Sequence, residues 1–171
     1  MRALKIWLAL LGVTVAYGVV LDQVTIRVSP EYFLVGHVRV LETESLTHVA
    51  LFWGVAATLP GAIALAFLTM TAARFGRTRD PLELTDIAKW LLCLPPVVFA
   101  IALAAGLTGY MMHELHALPF PEVLVSRVAE EARGRFVAVW AAHLASYVAF
   151  AMGGAGVAFL IWRAREVSSR A

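Results

Sequence analysis

Apolar and polar positions along the chain sort into four long apolar runs separated by three polar stretches. The runs lie near Ala3–Leu21, Thr47–Ala73, Ala88–Met112 and Phe136–Trp162. Each is long enough to cross about 30 Å of hydrocarbon, which takes about 20 helical residues. The pattern predicts an all-α membrane protein, a single four-helix transmembrane domain spanning 1–171, with polar loops at 22–46 and 113–135 on one side. Pro60 in the second run and Pro95-Pro96 in the third are tolerable in membrane helices and are expected to bend them. The first run resembles a signal peptide, with Arg2 and Lys5 ahead of it. Its "VTVAYGVV" end is a poor cleavage site, so a retained helix is expected.

Composition strengthens this picture. Of 171 residues, 61% are hydrophobic and 15% charged, against about 25% charged in a soluble domain. A core this small cannot hide so many apolar side chains, so the lipid bilayer is the expected partner for much of the surface. The net charge is only +2, and no basic stripe alternates with aromatics, which excludes the usual nucleic-acid footprint. Cys93 is the single cysteine, excluding an internal disulfide, a Cys-rich zinc site and covalent haem attachment. Phosphate-binding, nucleophile-elbow and dinucleotide motifs are missing. The HELH of His113–His116 lacks the i, i+4 histidine spacing of the zinc-protease motif.

Sidedness follows from the basic residues. Arg2, Lys5, Arg74, Arg77, Arg79, Lys89, Arg163, Arg165 and Arg170 flank the termini and the 74–87 loop, facing only Asp80, Glu83, Asp86 and Glu166. Loops 22–46 and 113–135 carry Arg27, Arg39, Arg127, Arg133 and Arg135 against eight acids. Both termini are therefore expected to be cytoplasmic, in a bacterial inner membrane, with the two acidic loops facing the periplasm or cell exterior. All five histidines (His37, His48, His113, His116 and His143) then fall on the outer side.

Two loop elements are expected there. Partial β-branched alternation in Thr25–Tyr32 and His37–Leu41 is compatible with a short hairpin around Leu34–Gly36, or with an irregular cap across the helix ends. After Pro119 and Pro121, "EVLVSRVAEEARGRF" reads as a short amphipathic interfacial helix. It would turn Val123, Val125, Val128 and Ala132 to protein or lipid, and Arg127, Glu130, Glu131 and Arg133 to water.

The fourth run carries the main candidate chemistry. His143 sits about two turns inside the membrane, where an ionisable side chain is costly and faces the bundle interior with a partner. Asp22 and Gln23, ending the first run, are natural partners. One reading converges Asp22, Glu31, His37 and His143 on a divalent metal, with Gln23, Tyr32 and Tyr147 behind them. Two imidazoles and two carboxylates suit Zn, Fe(II) or Mn. Each residue also has a plain alternative. His143 can be a hydrogen-bonded interior histidine, Glu31 an ion-pair partner of Arg27 or Arg39, His37 a solvated interface residue and Asp22 a water-boundary residue. His48 reads as an interface residue, and His113 with His116 as an exposed pair.

The stretches "YGVVLDQVTIRVSPEYFLVGH" and "WAAHLASYVAFAMGG" together resemble an uncharacterised family of bacterial four-helix integral membrane proteins. That family carries Asp-Gln-(Val/Ile)-Thr, then Glu-Tyr-Phe-x-x-x-His, then Trp-Ala-His-x-x-Ser-Tyr. The matching positions are Asp22-Gln23, Glu31-Tyr32-Phe33, His37, Thr43-Glu44-Ser45, Trp53-Gly54-Val55, Trp140, His143, Ser146 and Tyr147. Leu21 stands where the family pattern has a histidine, and Phe150 where a small residue is usual. His48 replaces an aliphatic residue. The resemblance implies that Asp22, Glu31, His37 and His143 form one shared constellation; it brings no activity with it.

A second class of function competes. Ala142, Ala145, Ala149, Gly153 and Gly156 form a small-residue face on helix four, suited to close helix approach, as in an accessory subunit of a larger membrane complex or a homo-oligomer. The many aromatics suit lipid, quinone or pigment equally. Bis-histidine haem needs two histidines at one depth, and only His143 is clearly intramembrane, which argues against haem. Four helices without an internal repeat argue against a transporter. The sequence assigns no reaction, so the chain's status as an enzyme stays open.

Overall fold

The computed structural model describes residues 2–74, 84–117 and 121–167. Within them α1 spans Arg2–Val28, α2 Pro30–Leu34, α3 Leu46–Ala56, α4 Leu59–Arg74, α5 Leu84–Glu114, α6 Glu122–Val125 and α7 Glu130–Val167. Four candidate spans result: Leu4–Val28, Leu46–Ala73, Ile87–Glu114 and Glu130–Arg163. Their apolar side chains remain widely exposed, as at Phe67, Leu92, Leu107 and Met152. Such a surface is compatible with contact with lipid, and four helices long and apolar enough to span a bilayer suggest a multi-pass membrane protein. Neighbouring helices run antiparallel in an up-down-up-down bundle, with α5·α7 and α1·α3 the most extensive pairs. The 75–83 segment and Pro119 lie outside the described residues.

Small residues set the closest approaches. A Cβ on Gly54 of α3 would stand 2.6 Å from the Cα and 2.9 Å from the backbone N of Val19 on α1. One on Gly18 would stand 2.6 Å from the carbonyl of Gly54. The two backbones therefore touch at this crossing, an arrangement open only to glycine. On α5, Gly106 and Gly109 take the backbone carbonyls of Ala138 and Val137 on α7 at 3.1 and 3.3 Å from the Cβ each would carry.

The second span is broken rather than bent. α3 ends at Ala56, Ala57 and Thr58 form a turn, and α4 restarts at Leu59 with Pro60 in its first turn. Proline has no amide for the carbonyl four residues earlier, and its ring displaces that carbonyl, which here belongs to Ala56. α5, by contrast, is continuous through Pro95 and Pro96.

The hairpin considered for 25–41 is absent. α1 runs seven residues past the apolar run, to Val28, and Pro30–Leu34 is helical. Leu21, Asp22, Thr25, Ile26 and Ser29 are all buried. That is a 3.6-residue period, and packing on one helix face outweighs the β preference of the branched side chains. Residues 38–45 have no regular structure. The interfacial helix expected after Pro121 is also split, into α6 and the start of α7. Val125, Val128 and Ala132 are buried as expected, whereas Val123 is exposed. Arg133 is turned inward: its Nε donates to the carbonyls of Val125 and Val128 at 3.2 and 3.1 Å, closing the chain between the two helices.

Above the bundle Ile26, Tyr32, Phe33, Val49, Val128 and Phe136 belong to one apolar cluster. It roofs the polar groups described next.

Candidate functional site

Asp22 and Thr25 lie three residues apart on one face of α1, and His143 faces them from α7. All three are buried. Thr25 donates its hydroxyl hydrogen to the Leu21 carbonyl at 2.9 Å, and its Oγ1 lies 3.1 Å from His143 Nε2. With that hydrogen committed, Oγ1 can only accept, so Nε2 carries the imidazole proton and Nδ1 is left as the ring's acceptor. Asp22 Oδ1 stands 3.7 Å from the same Nε2, beyond hydrogen-bond length but close for a charge partner.

Tyr32 of α2 covers this pair. Its ring stacks on the His143 imidazole at 4.6 Å and 28°. Pro30 opens α2 at its first position, where no amide is needed, so the short helix turns Tyr32 and Phe33 down into the bundle. Burial holds the Tyr32 phenol well above its usual ionisation range, with Coulombic contributions from Tyr147 and Asp22 adding to it. Val35 and Gly36 both donate backbone amides to the Glu31 carbonyl, closing the turn. A Cβ on Gly36 would meet the Tyr32 carbonyl at 2.5 Å, so only glycine fits there.

His37 comes near but does not join the pair. Its Nδ1 lies 2.9 Å from the Tyr32 carbonyl, which can only accept, so Nδ1 carries the proton. The ring sits among Tyr32, Phe33 and Trp53 at centroid distances of 5.0, 6.0 and 4.6 Å. Tyr32 thus contacts both imidazoles, by its edge with His37 and by its face with His143. Glu31 accepts from the buried Ser29 hydroxyl at 2.7 Å. Gln23 is taken up elsewhere: its Nε2 donates to the Thr47 carbonyl at 3.0 Å, and Arg27 donates to its side-chain and backbone oxygens. Of the four expected ligands, Asp22 and His143 are brought together. Among the described residues no group of three or more His, Cys, Asp or Glu side chains is arranged to hold a metal.

Beside the pair lies a cavity of about 370 Å³ between α1, α4 and α7. Its back wall is buried: Thr14, Tyr17, Leu21, Asp22, His143 and Ser146. Tyr17 and Ser146 share a hydrogen bond of 2.8 Å across it. Its front is formed by exposed Gly61, Ala64 and Leu68 of α4 and exposed Tyr147 and Ala151 of α7. The break at Ala57–Thr58 supplies the upper rim. Most of the lining is apolar, the usual character of a small-molecule site.

Thr25 and Tyr17 were not singled out by the sequence reading. Ending the first helix at Leu21 hid the i, i+3 relation of Asp22 to Thr25. The small-residue face of α7 is used largely within the chain: Ala142 packs on Gly106 and Gly153 on Leu94 of α5, while Gly156 faces open space. Comparison with known proteins finds no matching family model, no matching curated protein and no matching solved structure.

Proposed function

We propose that this multi-pass protein binds one small amphiphilic molecule in the cavity between α1, α4 and α7, its polar end against Asp22 and His143. The observation that carries the reading is the pairing of a buried carboxyl and a buried imidazole on the wall of an otherwise apolar cavity of about 370 Å³. Ligand sites run from about 300 to 1,000 Å³ and combine apolar walls with a few convergent polar groups. Polar groups inside a membrane domain are costly unless they serve a site or a partner. By charge distribution the pair sits toward the extracytoplasmic face of a bacterial inner membrane.

The test is to extract the protein in native lipid discs and identify bound molecules by mass spectrometry. A single species at about one per chain, lost when Ala64→Trp fills the cavity, supports the reading. A wild-type protein whose bound molecules match the bulk lipid in every ratio overturns it.

A divalent ion is the second reading, favoured by the 3.7 Å gap between Asp22 Oδ1 and His143 Nε2 with no direct hydrogen bond. Those two groups would supply two ligands once His143 gives up its Nε2 proton and its bond to Thr25. Glu31 and His37 each keep a ligating atom outside their bonds to Ser29 and the Tyr32 carbonyl, but neither is grouped with the pair, so both would have to move to join. Zn, Fe or Mn at about one per chain, lost in His143→Ala, would support it. Metal-free folded protein would end it.

A further inference from the structure

We infer that the molecule held in this cavity is an uncharged, hydroxyl-bearing amphiphile that enters sideways from the bilayer, between α4 and α7. The inference rests on the reading of the cavity as a binding site. It comes from two features of the lining: the charges it lacks and the side on which it is open.

No lysine or arginine lines the cavity. The nearest guanidinium on α1, that of Arg27, is bound to Gln23 and Thr47 at the α1–α3 interface. A phosphate or carboxylate head would meet the Asp22 carboxyl with no cation to offset it, in surroundings of low polarity. That excludes the common anionic lipids and fatty acids. An ammonium head has hydrogens only to give, so it would find acceptors in Asp22 and His143 but could accept nothing from the lining hydroxyls, with apolar walls around the rest of its hydration shell. The donors and acceptors present fit a hydroxyl better. His143 spends its Nε2 proton on Thr25 and keeps Nδ1 as an acceptor. The Asp22 carboxyl accepts as well, and the bond between Tyr17 and Ser146 uses one of their two hydroxyl hydrogens and leaves the other to donate. A hydroxyl, which donates and accepts at once, matches a wall that holds both acceptors and hydroxyl donors.

The open side is the membrane side. Gly61, Ala64, Leu68, Tyr147 and Ala151 are exposed, and all lie within the spans. Gly61 has no atom within 4 Å of the Cβ it would carry. Above the pair, the apolar cluster of Tyr32, Phe33 and Phe136 blocks a direct path to the aqueous end. Small residues at a lipid-facing front and aromatic rings on the aqueous side describe a lateral entrance.

The test uses three probes of equal chain length, each carrying a diazirine: 1-decanol, decanoate and decylamine. Protein in phosphatidylcholine nanodiscs is irradiated with each, and labelled α4 and α7 peptides are quantified by mass spectrometry. The alcohol is expected to label them roughly tenfold more than either ion. Ala64→Trp and Ala151→Trp, two exposed positions on opposite sides of the entrance, should each abolish this labelling. Ala104→Trp, exposed on α5 away from the cavity, should not. Equal or stronger labelling by decanoate or decylamine overturns the choice of head group while leaving the cavity reading intact. Undiminished labelling in both tryptophan variants at the entrance overturns the lateral route. Absence of labelling by all three probes overturns the inference and the cavity reading together.

Discussion

Replacing Gly54 by alanine probes the contact that positions the site. The new methyl carbon would lie 2.6 Å from the Val19 Cα and 2.9 Å from its amide N. Ordinary contact begins near 3.4 Å, so α1 and α3 must part by about 1 Å, since neither atom belongs to a side chain that can rotate away. Overpacking costs about 1–3 kcal/mol, and backbone against backbone belongs at the upper end, near 3 kcal/mol. Alanine returns at most about 1 kcal/mol through helix propensity, leaving a net loss of about 2 kcal/mol. Gly12→Ala and Gly156→Ala are the controls, because nothing lies within 4 Å of either added carbon; both should be neutral or stabilising by up to about 1 kcal/mol. Steric trapping in bicelles measures the unfolding free energy directly. The same displacement moves Gly18 and the Thr58 rim of the cavity, so Gly54→Ala should also weaken ligand retention. If Gly54→Ala proves as harmless as Gly12→Ala, the helices do not cross in backbone contact and the account of how Asp22 is placed is wrong.

Three further outcomes are expected. Thr25→Val removes the acceptor of the His143 Nε2 proton and should cost about 1 kcal/mol, whereas Thr25→Ser restores it. Imidazole nitrogen NMR shifts that place the proton on Nδ1 in wild type would refute the assignment. Tyr32→Ala should cost about 3 kcal/mol by loss of the ring over His143, with Tyr32→Phe keeping most of that stability. Because burial raises the folded-state pKa of Tyr32, its contribution is complete below its unfolded value of about 10 and is lost as pH rises from there toward the folded value. Unfolding free energies at about pH 9 and 11 should therefore fall less in Tyr32→Phe than in wild type. Finally, Arg133→Met keeps the aliphatic stem but removes the side-chain donor of the Val128 carbonyl, while the Val125 carbonyl keeps the Val128 amide, at a cost of about 1–3 kcal/mol; proteolysis between α6 and α7 should accelerate.

How much of the site was legible depends on the range of the forces involved. Asp22 and His143 stood out because an ionisable group in an apolar run is expensive wherever it lies, a cost visible one residue at a time. The end of α1 was not visible in this way. Thr25, Ile26 and Val28 have branched side chains that favour strands locally. They are helical because Leu21, Asp22, Thr25, Ile26 and Ser29 bury one continuous face against the rest of the bundle. His37 and Glu31 stood in the same stretch of sequence as Asp22, but proximity along the chain did not reveal that Tyr32 would lie between the two imidazoles.

The sequence by itself determined that the chain carries four segments long and apolar enough to cross a membrane, because span length and apolar content are local sums that no partner is needed to complete. It also singled out His143 as an ionisable group within an apolar run. Only the tertiary structure decided that Gly18 and Gly54 bring two backbones into touch and that a cavity opens beside Asp22 and His143. Those outcomes depend on which surfaces of distant helices meet, and a contact between residues far apart along the chain leaves no periodic trace in a single sequence.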